Sequence, residues 1–363
     1  MLWNGGRMDH DTSESIRLKD VARIAGVSPA TASMVFNGTG RISAQTRAKV
    51  IEAADSVGYQ HPVRTKKKAR RRTPIAGILI STDRQWSFVW HFLSDMIRTV
   101  EQEAEALGFR TVLIPISYEE GSDRIYRKID ELDCRALFAV HIAREDLFEK
   151  LEKGGIPVIL IFNNNFQDRF FSICVDDFQG AYEGVRYLLR LGHRRIDFVD
   201  ADREDLPILS SDRYYGYRKA LEEEGVVFRT EHRIGCEDGC SEDDLEERFR
   251  ETLRGPQAPT ALFCLDDEIA LRAWNALERI GFAVPEDVSI LAPGDVLDYT
   301  KPYIPSIATM HIDTAYVGRL AVEMLKNRLE SDTGPVHVLK VRQQLVDRGS
   351  CRTPRRNASG HQD

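Results

Sequence analysis

The sequence predicts an all-α helix-turn-helix headpiece followed by an α/β body of two lobes, each built on a doubly wound parallel sheet. Three observations carry that prediction. Leu18–Val50 holds three short helical segments punctuated by Gly26, Ser28-Pro29 and Ser43. Beyond Pro74, short apolar runs alternate with amphipathic helical stretches, as βα units around a parallel sheet do. The alternation restarts after Asp176, so the body contains two such units with a cleft between them.

In the headpiece, a first helix is expected over Leu18–Ala25, with Val21, Ala22 and Ile24 on one side. Gly26 permits the sharp turn that joins it to the next. Ser28 is a good N-cap, and Pro29 stands at the first helical position, where its missing N–H costs nothing. That second helix runs to Phe36. Ser43 caps a third, which extends to Val57 and stops at Gly58.

Residues 60–74 read as a linker. Its centre, Lys66 to Arg72, is six basic residues out of seven. Like charges at that density repel, so the segment is a solvated tether when free and follows phosphates when nucleic acid is present. The first βα unit then comprises strand Ile75–Ile80, helix Phe92–Leu107 ended by Gly108, strand Thr111–Ile116, helix Arg124–Leu132, strand Ala136–Val140, helix Asp146–Lys153 and strand Pro157–Phe162. The second comprises helix Gly180–Leu191, strand Ile196–Asp200, helix Arg213–Glu224, strand Ala261–Cys264, helix Ile269–Ile280, strand Val288–Leu291, helix Ala315–Leu329 and a last strand at Val336–Leu339. The resulting division is a disordered extension over 1–15, a DNA-binding domain over 16–59, a basic hinge over 60–74, a two-lobed domain over 75–350 and a loose tail over 351–363.

Charge separates head from body. From Ile16 to Arg72 there are 13 Lys/Arg against 3 Asp/Glu, a net of +10; the other residues carry 37 against 54, a net of −17. A basic head on an acidic body suits nucleic-acid contact through the head alone. No apolar run reaches membrane-spanning length, and the first 15 residues lack the apolar core of a signal peptide. A cytoplasmic, nucleoid-associated protein is expected. The six cysteines, at 134, 174, 236, 240, 264 and 351, show no zinc spacing and read as reduced thiols; no metal or cofactor is expected.

Several fixed phrases resemble the LacI/GalR family of bacterial repressors: Leu18-Lys19-Asp20-Val21-Ala22, Ala25-Gly26-Val27-Ser28, Thr31-Ala32-Ser33, Asn37-Gly38 and Thr46-Arg47 with Val50. In the body, Val175-Asp176-Asp177 with Gly180, Gly192-His193-Arg194-Arg195-Ile196, Asp266-Asp267-Glu268-Ile269-Ala270, Val284-Pro285-Glu286-Asp287-Val288 and Leu345-Val346-Asp347-Arg348-Gly349-Ser350 continue the match. The resemblance spans about residues 17–350. It implies a periplasmic-binding-protein-like core, a homodimer on near-palindromic double-stranded operator DNA, and a small-molecule effector, sugar-like in kind, between the lobes.

In such a headpiece the second helix lies in the major groove, its N-terminal residues towards the bases. Ser28, Pro29, Ala30, Thr31, Ser33 and Met34 are the candidate readers. Relatives often carry arginine where this chain has Met34. Arginine reads guanine bidentately, whereas methionine touches a thymine methyl. Core packing is the other reading of Met34. Lys19, Asn37, Arg41, Thr46 and Arg47 are read as backbone contacts, and Lys66, Lys67 and Lys68 as phosphate contacts. Relatives wedge a hinge leucine into the minor groove, but no leucine occurs between Gly58 and Pro74, and Lys68 falls near that position.

For the effector, Arg213 matches the family's effector-binding arginine and is suited to fork onto hydroxyls or a carboxylate. Asp266 follows a strand where relatives present Asn or Asp to the ligand, and Asn163 stands near another such position. Gly294 occupies the place of the usual ligand-binding Asp, so Asp295 serves only if the backbone shifts. Trp86, Phe88, Trp90 and Phe92 alternate at period two in a long loop. They read either as an aromatic wall for a ring or as packing for the helix start. The function that follows is a DNA-binding transcriptional regulator, a repressor by resemblance; the alternative is control by a protein partner over a vestigial cleft. Catalysis is not expected: Asp176-Asp177 and Asp266-Asp267-Glu268 lack any accompanying nucleophile elbow, P-loop or metal spacing.

Overall fold

The computed structural model describes residues 18–37, 42–57, 59, 73–82, 86–201, 207–228, 232–236, 241–255, 257–330 and 335–355; at 37, 86–89, 201, 207–210 and 236 the backbone alone is described. Gly58, Arg41, Lys66, Lys67 and Lys68, and with them residues 60–72 of the basic hinge, lie outside these residues. The chain divides into two compact units, Met1–Arg72 and Thr73–Asp363.

The first unit holds α1 (Leu18–Ile24), α2 (Pro29–Asn37) and α3 (Ala44–Ser56) around Val21, Ala22, Ala32, Val35, Val50, Ala53 and Ala54. Gly26 adopts φ 65°, the left-handed conformation that closes the turn between α1 and α2. Ser28 Oγ accepts from the Thr31 N–H at 3.0 Å, and Ser43 Oγ from the Thr46 N–H at 3.2 Å, so both predicted caps form. Ile24 departs from the expected face: it is 51% exposed. It lies roughly 60° from Val21, on the side away from Ala22 and roughly 160° from it, beyond the edge of the stripe those two bury.

The second unit contains two six-stranded sheets. The first lobe is built from β1 (Ile75–Ser81), α4 (Trp86–Ala106), β2 (Arg110–Ile116), α5 (Ser122–Glu131), β3 (Cys134–Val140), α6 (Glu145–Lys153), β4 (Val158–Ile161) and β5 (Phe171–Val175). The second takes α7 (Asp177–Arg190), β6 (Ile196–Ala201), α8 (Pro207–Glu223), β7 (Arg233–Cys236), α9 (Glu242–Thr252), β8 (Ala261–Cys264), α10 (Asp267–Arg279), β9 (Ser289–Pro293) and β10 (Ala308–His311). The chain returns to the first lobe for α11 (Thr314–Glu330) and β11 (Val338–Val341), then crosses back for β12 (Gln344–Val346). Strand orders are β11-β5-β4-β3-β1-β2 and β12-β10-β9-β8-β6-β7. All pairings are parallel except β10 with β12. The chain therefore passes between lobes three times, at 175–177, 311–314 and 341–344.

Sequence periodicity missed β5, β7, α9, β10 and β12, which are mostly three- to five-residue strands too short to show a period. Two helices start more than a turn earlier than their apolar stripes suggested. α8 begins at Pro207, a favoured first helical residue, and α4 begins at Trp86. In place of the loose tail expected beyond Ser350, the chain is tied down to Arg355. Cys351 is buried, the Arg352 N–H donates to Ser289 Oγ at 3.1 Å, and Arg355 pairs with Asp287 at 3.1 Å. Among the described residues, no helix is long and apolar enough to cross a membrane.

One core residue works against stability. Asp197 on β6 is 5% exposed, and burial pushes its carboxyl up from 3.8 to about 7. A carboxyl raised in the folded state carries no penalty below its unfolded value; the penalty grows as pH rises towards the folded one. Asp197→Asn is therefore expected to gain about 2 kcal/mol above pH ~7 and nothing below pH ~4, the gain being held down because a buried amide also wants partners. Urea melts across that range check it.

Candidate functional site

In the headpiece, α2 presents its N-terminal turn to solvent: Ser28, Pro29 and Ala30 are exposed, and Thr31 and Ser33 are half-buried. Ser28 Oγ and Thr31 Oγ1 lie 2.9 Å apart, so part of their capacity serves the cap. Met34 is 41% exposed, which removes it from the core. Lys19 is exposed on α1. Thr46 bonds back to Ser43, and Arg47 donates to the Val35 carbonyl at 3.3 Å, tying α3 to the end of α2. At least one Arg47 N–H thus holds the head together rather than reaching outward. The side chain of Asn37 and all of Arg41 lie outside the described residues.

The two lobes bring the carboxyl ends of their parallel strands to the crossovers, where ligands of open α/β sheets bind. A cavity of about 180 Å³ lies there. Its first-lobe side is His91, Phe92 and Asp95 of α4; its second-lobe side includes Asp295, Tyr299, His311 and Arg348. Phe92 and Asp295 thus share one lining, whereas Trp90, Asn163, Arg213 and Asp266 fall outside it.

The period-two aromatic wall does not form. Residues 86–92 are helical, so Trp90 and Phe92 diverge by roughly 200°. Trp90 is 45% exposed while Phe92 is 7% exposed and packs on Phe162 at 5.3 Å between ring centroids. The side chains of Trp86 and Phe88 lie outside the described residues. The aromatic tier that exists was not anticipated. His141 stacks on Phe162 at 5.1 Å, and the Tyr118 hydroxyl donates to the His141 carbonyl at 3.2 Å. His141 (φ 52°) and Phe162 (φ 57°) end β3 and β4 in left-handed backbone, a strain of about 1–3 kcal/mol each that tends to collect at binding sites. No periodicity announces it.

Asn163 is buried and turned inward: its Nδ2 donates to the Ile142 carbonyl and its Oδ1 accepts from the Asn165 N–H. Arg213 is likewise inward, 4% exposed, with Nε 2.9 Å and Nη2 2.8 Å from Asp177 Oδ1 and Nη1 2.6 Å from the Leu265 carbonyl. Burial pushes Asp177 up, and Arg213 opposes that. This pair exists because Gly216 lets α8 touch α7. A Cβ on Gly216 would stand 2.3 Å from the Phe178 carbonyl oxygen.

Asp266 caps α10, accepting from the Ile269 N–H at 2.9 Å. Its neighbour Asp267 is fully buried. Oδ2 accepts from the Leu297 N–H at 3.0 Å and the Tyr299 hydroxyl at 3.2 Å, while Oδ1 has no hydrogen-bond partner and faces Gly294. Burial pushes Asp267 up to about 7. Asp295 is gripped without a backbone shift. His311 Nδ1 lies 2.6 Å away, Arg348 Nη2 3.1 Å from each oxygen, and Thr309 donates as well. Burial pushes Asp295 up, but these partners win and hold it below its ordinary value, while Asp295 raises His311. Arg348 also stacks over Tyr299, 3.9 Å from its centroid.

Residues 17–62 match the bacterial regulatory proteins, lacI family, and residues 185–351 match the periplasmic binding protein-like domain. The chain is 27% identical over 337 residues to the HTH-type transcriptional repressor PurR of Pectobacterium atrosepticum, covering 92% of this chain and 96% of that protein. It is 30% identical over 287 residues to the HTH-type transcriptional regulator DegA of Bacillus subtilis, covering 75% and 79%. Among solved structures it resembles a transcriptional regulator CelR–cellobiose complex, with a TM-score of 0.65, 25% identity and coverage of 93% and 100%. The fold also matches the lac repressor dimer bound to operator, with a TM-score of 0.61, 23% identity and coverage of 93% and 99%.

Proposed function

The chain belongs to the lacI family of bacterial regulatory proteins, DNA-binding transcriptional regulators rather than enzymes, and from that premise we propose that it is a repressor controlled by a sugar-like effector held between its lobes. The observation that carries the reading is the pairing, in one chain, of a headpiece with an exposed α2 N-terminal turn and a body with a polar cavity at its lobe crossovers. The repressor sign is supported by the named repressors among the relatives, and the sugar by the relative solved with cellobiose. A homodimer is the arrangement of the lac repressor on its operator, and a cytoplasmic, nucleoid-associated protein fits that role.

Ser28, Pro29, Ala30, Thr31, Ser33 and Met34 face the bases in this proposal, with Lys19 and the basic hinge on phosphates. Phe92, Arg213, Asp266 and Asp295 serve the effector: Phe92 and Asp295 as lining, Asp266 from the α10 N-terminus, and Arg213 by fixing the floor around Leu265. Mobility shifts of genomic fragments selected by the full-length protein, with and without neutral saccharides, test it. Sequence-specific retention that a saccharide alters is the expected result; binding no better than to bulk DNA defeats the regulator, and indifference to every saccharide defeats the effector. Within the head, Met34→Ala is expected to weaken the operator complex roughly fivefold, about 1 kcal/mol, and to leave bulk-DNA affinity unchanged. Met34→Arg is expected to move preference towards guanine at the contacted step. Competition shifts with base-substituted operators read both.

A further inference from the structure

Resting on the reading of α2 as the helix that meets the bases, we propose that Arg47 is a positioning residue for operator recognition. It holds the end of α2 at the angle from which the bases are read, and places its charge inside the headpiece rather than on a phosphate. Arg47 stands in the first turn of α3, the positive pole of that helix, where a cation is unfavourable. Its partner is on α2. Nη1 donates to the Val35 carbonyl at 3.3 Å. That carbonyl belongs to the last turn of α2, whose C=O groups have no partner within the helix. α2 carries no basic residue in its own last turn, so Arg47 supplies the cation that its negative end lacks. Arg47 is half-buried in doing so, whereas Lys19 and Lys49 are exposed.

The angle of α2 depends on that hold. The helix is nine residues long and is tied at its start through the Gly26 turn. Among its described side chains only Ala32 and Val35 are buried. Besides the Arg47 bond, its end is met by Tyr59, whose ring lies 5.8 Å from that of Phe36. Such a helix is about 13 Å long, so a swing of about 10° about the turn shifts Met34 by over ~1 Å. Contacts to base edges tolerate roughly 0.5 Å. Contacts to phosphates through long, rotatable lysines absorb a shift of that size. Loosening α2 therefore removes sequence preference before it removes grip on the duplex.

Titrations of the full-length protein on the operator it selects and on a scrambled duplex of the same length, from about 50 to 200 mM salt, test the proposal. Arg47→Met keeps the stem and removes donor and charge. It is expected to weaken the operator complex roughly tenfold and the scrambled complex less than about twofold, and to change the slope of log K against log salt by less than about 0.5 per head. Arg47→Lys, which retains a charged donor on a stem of similar length, is expected to recover most of the lost preference. Equal losses on both duplexes with a slope lower by about 0.9 per head would make Arg47 a phosphate contact. Equal losses with the slope intact would make it a support of the fold alone, and an unchanged operator complex would make the bond idle; each overturns the inference. Should Arg47→Met melt the headpiece, seen as lost helical circular dichroism, Arg47→Gln, polar but too short to reach Val35, carries the same test. A parent protein that does not distinguish the two duplexes defeats the regulator reading and the inference with it. A parent that distinguishes them, beside variants that do so equally well, defeats the inference alone.

Discussion

Gly294→Asp, which introduces the acid that the family resemblance implies at this place, is expected to destabilise the second lobe by about 4 kcal/mol rather than repair the site. Gly294 has φ 125°, outside the range an L side chain adopts readily, and its Cβ would stand 2.5 Å from Asp267 Oδ1. Aspartate adds a second carboxyl beside a buried one. Gly294→Ala isolates the steric part and should cost about 2–3 kcal/mol. Removing the obstacle gives the check: in the Asp267→Ala background the same Gly294→Ala change should cost at least about 1 kcal/mol less. Additive losses in urea melts would mean that the two residues do not press on one another. Glycine at 294 is thus tied to an aspartate at 267 that reaches under it.

Arg213→Ala is expected to lose about 3–5 kcal/mol and the effector response together. It leaves Asp177, 2% exposed, without its cation, and leaves the Leu265 carbonyl without its donor. Burial already raises Asp177 while Arg213 opposes it, so removing Arg213 raises the carboxyl further. The variant then has a stronger tendency than the parent to bind a proton on folding. Its deficit should be smaller in mild acid than above neutrality. Arg213→Met with Asp177→Leu replaces both charges and should recover most of the stability. If the double variant folds well and still fails to respond to any compound, the pair's role in the site is separated from its role in the fold. A double variant as unstable as the single would show that the charges were not the cause.

The βα alternation and both headpiece caps were legible because they rest on local rules: short apolar runs, Ser-Pro at a helix start, glycine at turns. What escaped was set by partners distant in the chain. Arg213 reads as a ligand hook until Asp177, 36 residues earlier, is seen to hold it. Asp176 and Asp177 look alike in sequence, yet one caps α7 in partial contact with solvent and the other is buried. The Trp86–Phe92 alternation suggested a strand-like loop. The helix of α4 overrode it, because a period of two over four aromatics is weak against a continuing amphipathic stripe that buries Phe92, Leu93 and Met96. His141 and Phe162 gave no signal at all, since left-handed backbone at a non-glycine is imposed by the surrounding fold.

The triple passage of the chain between sheets has a genetic corollary. Each lobe is assembled from two separate stretches of sequence, the second lobe's later stretch contributing a single strand, β12. No single recombination breakpoint in the coding sequence exchanges one lobe for that of a relative and leaves the other whole. The headpiece, which ends before Thr73 and shares no sheet with the body, carries no such restriction. Lineages descending from a protein of this architecture are therefore free to trade readers by one splice, while their sensing halves must change by point substitution.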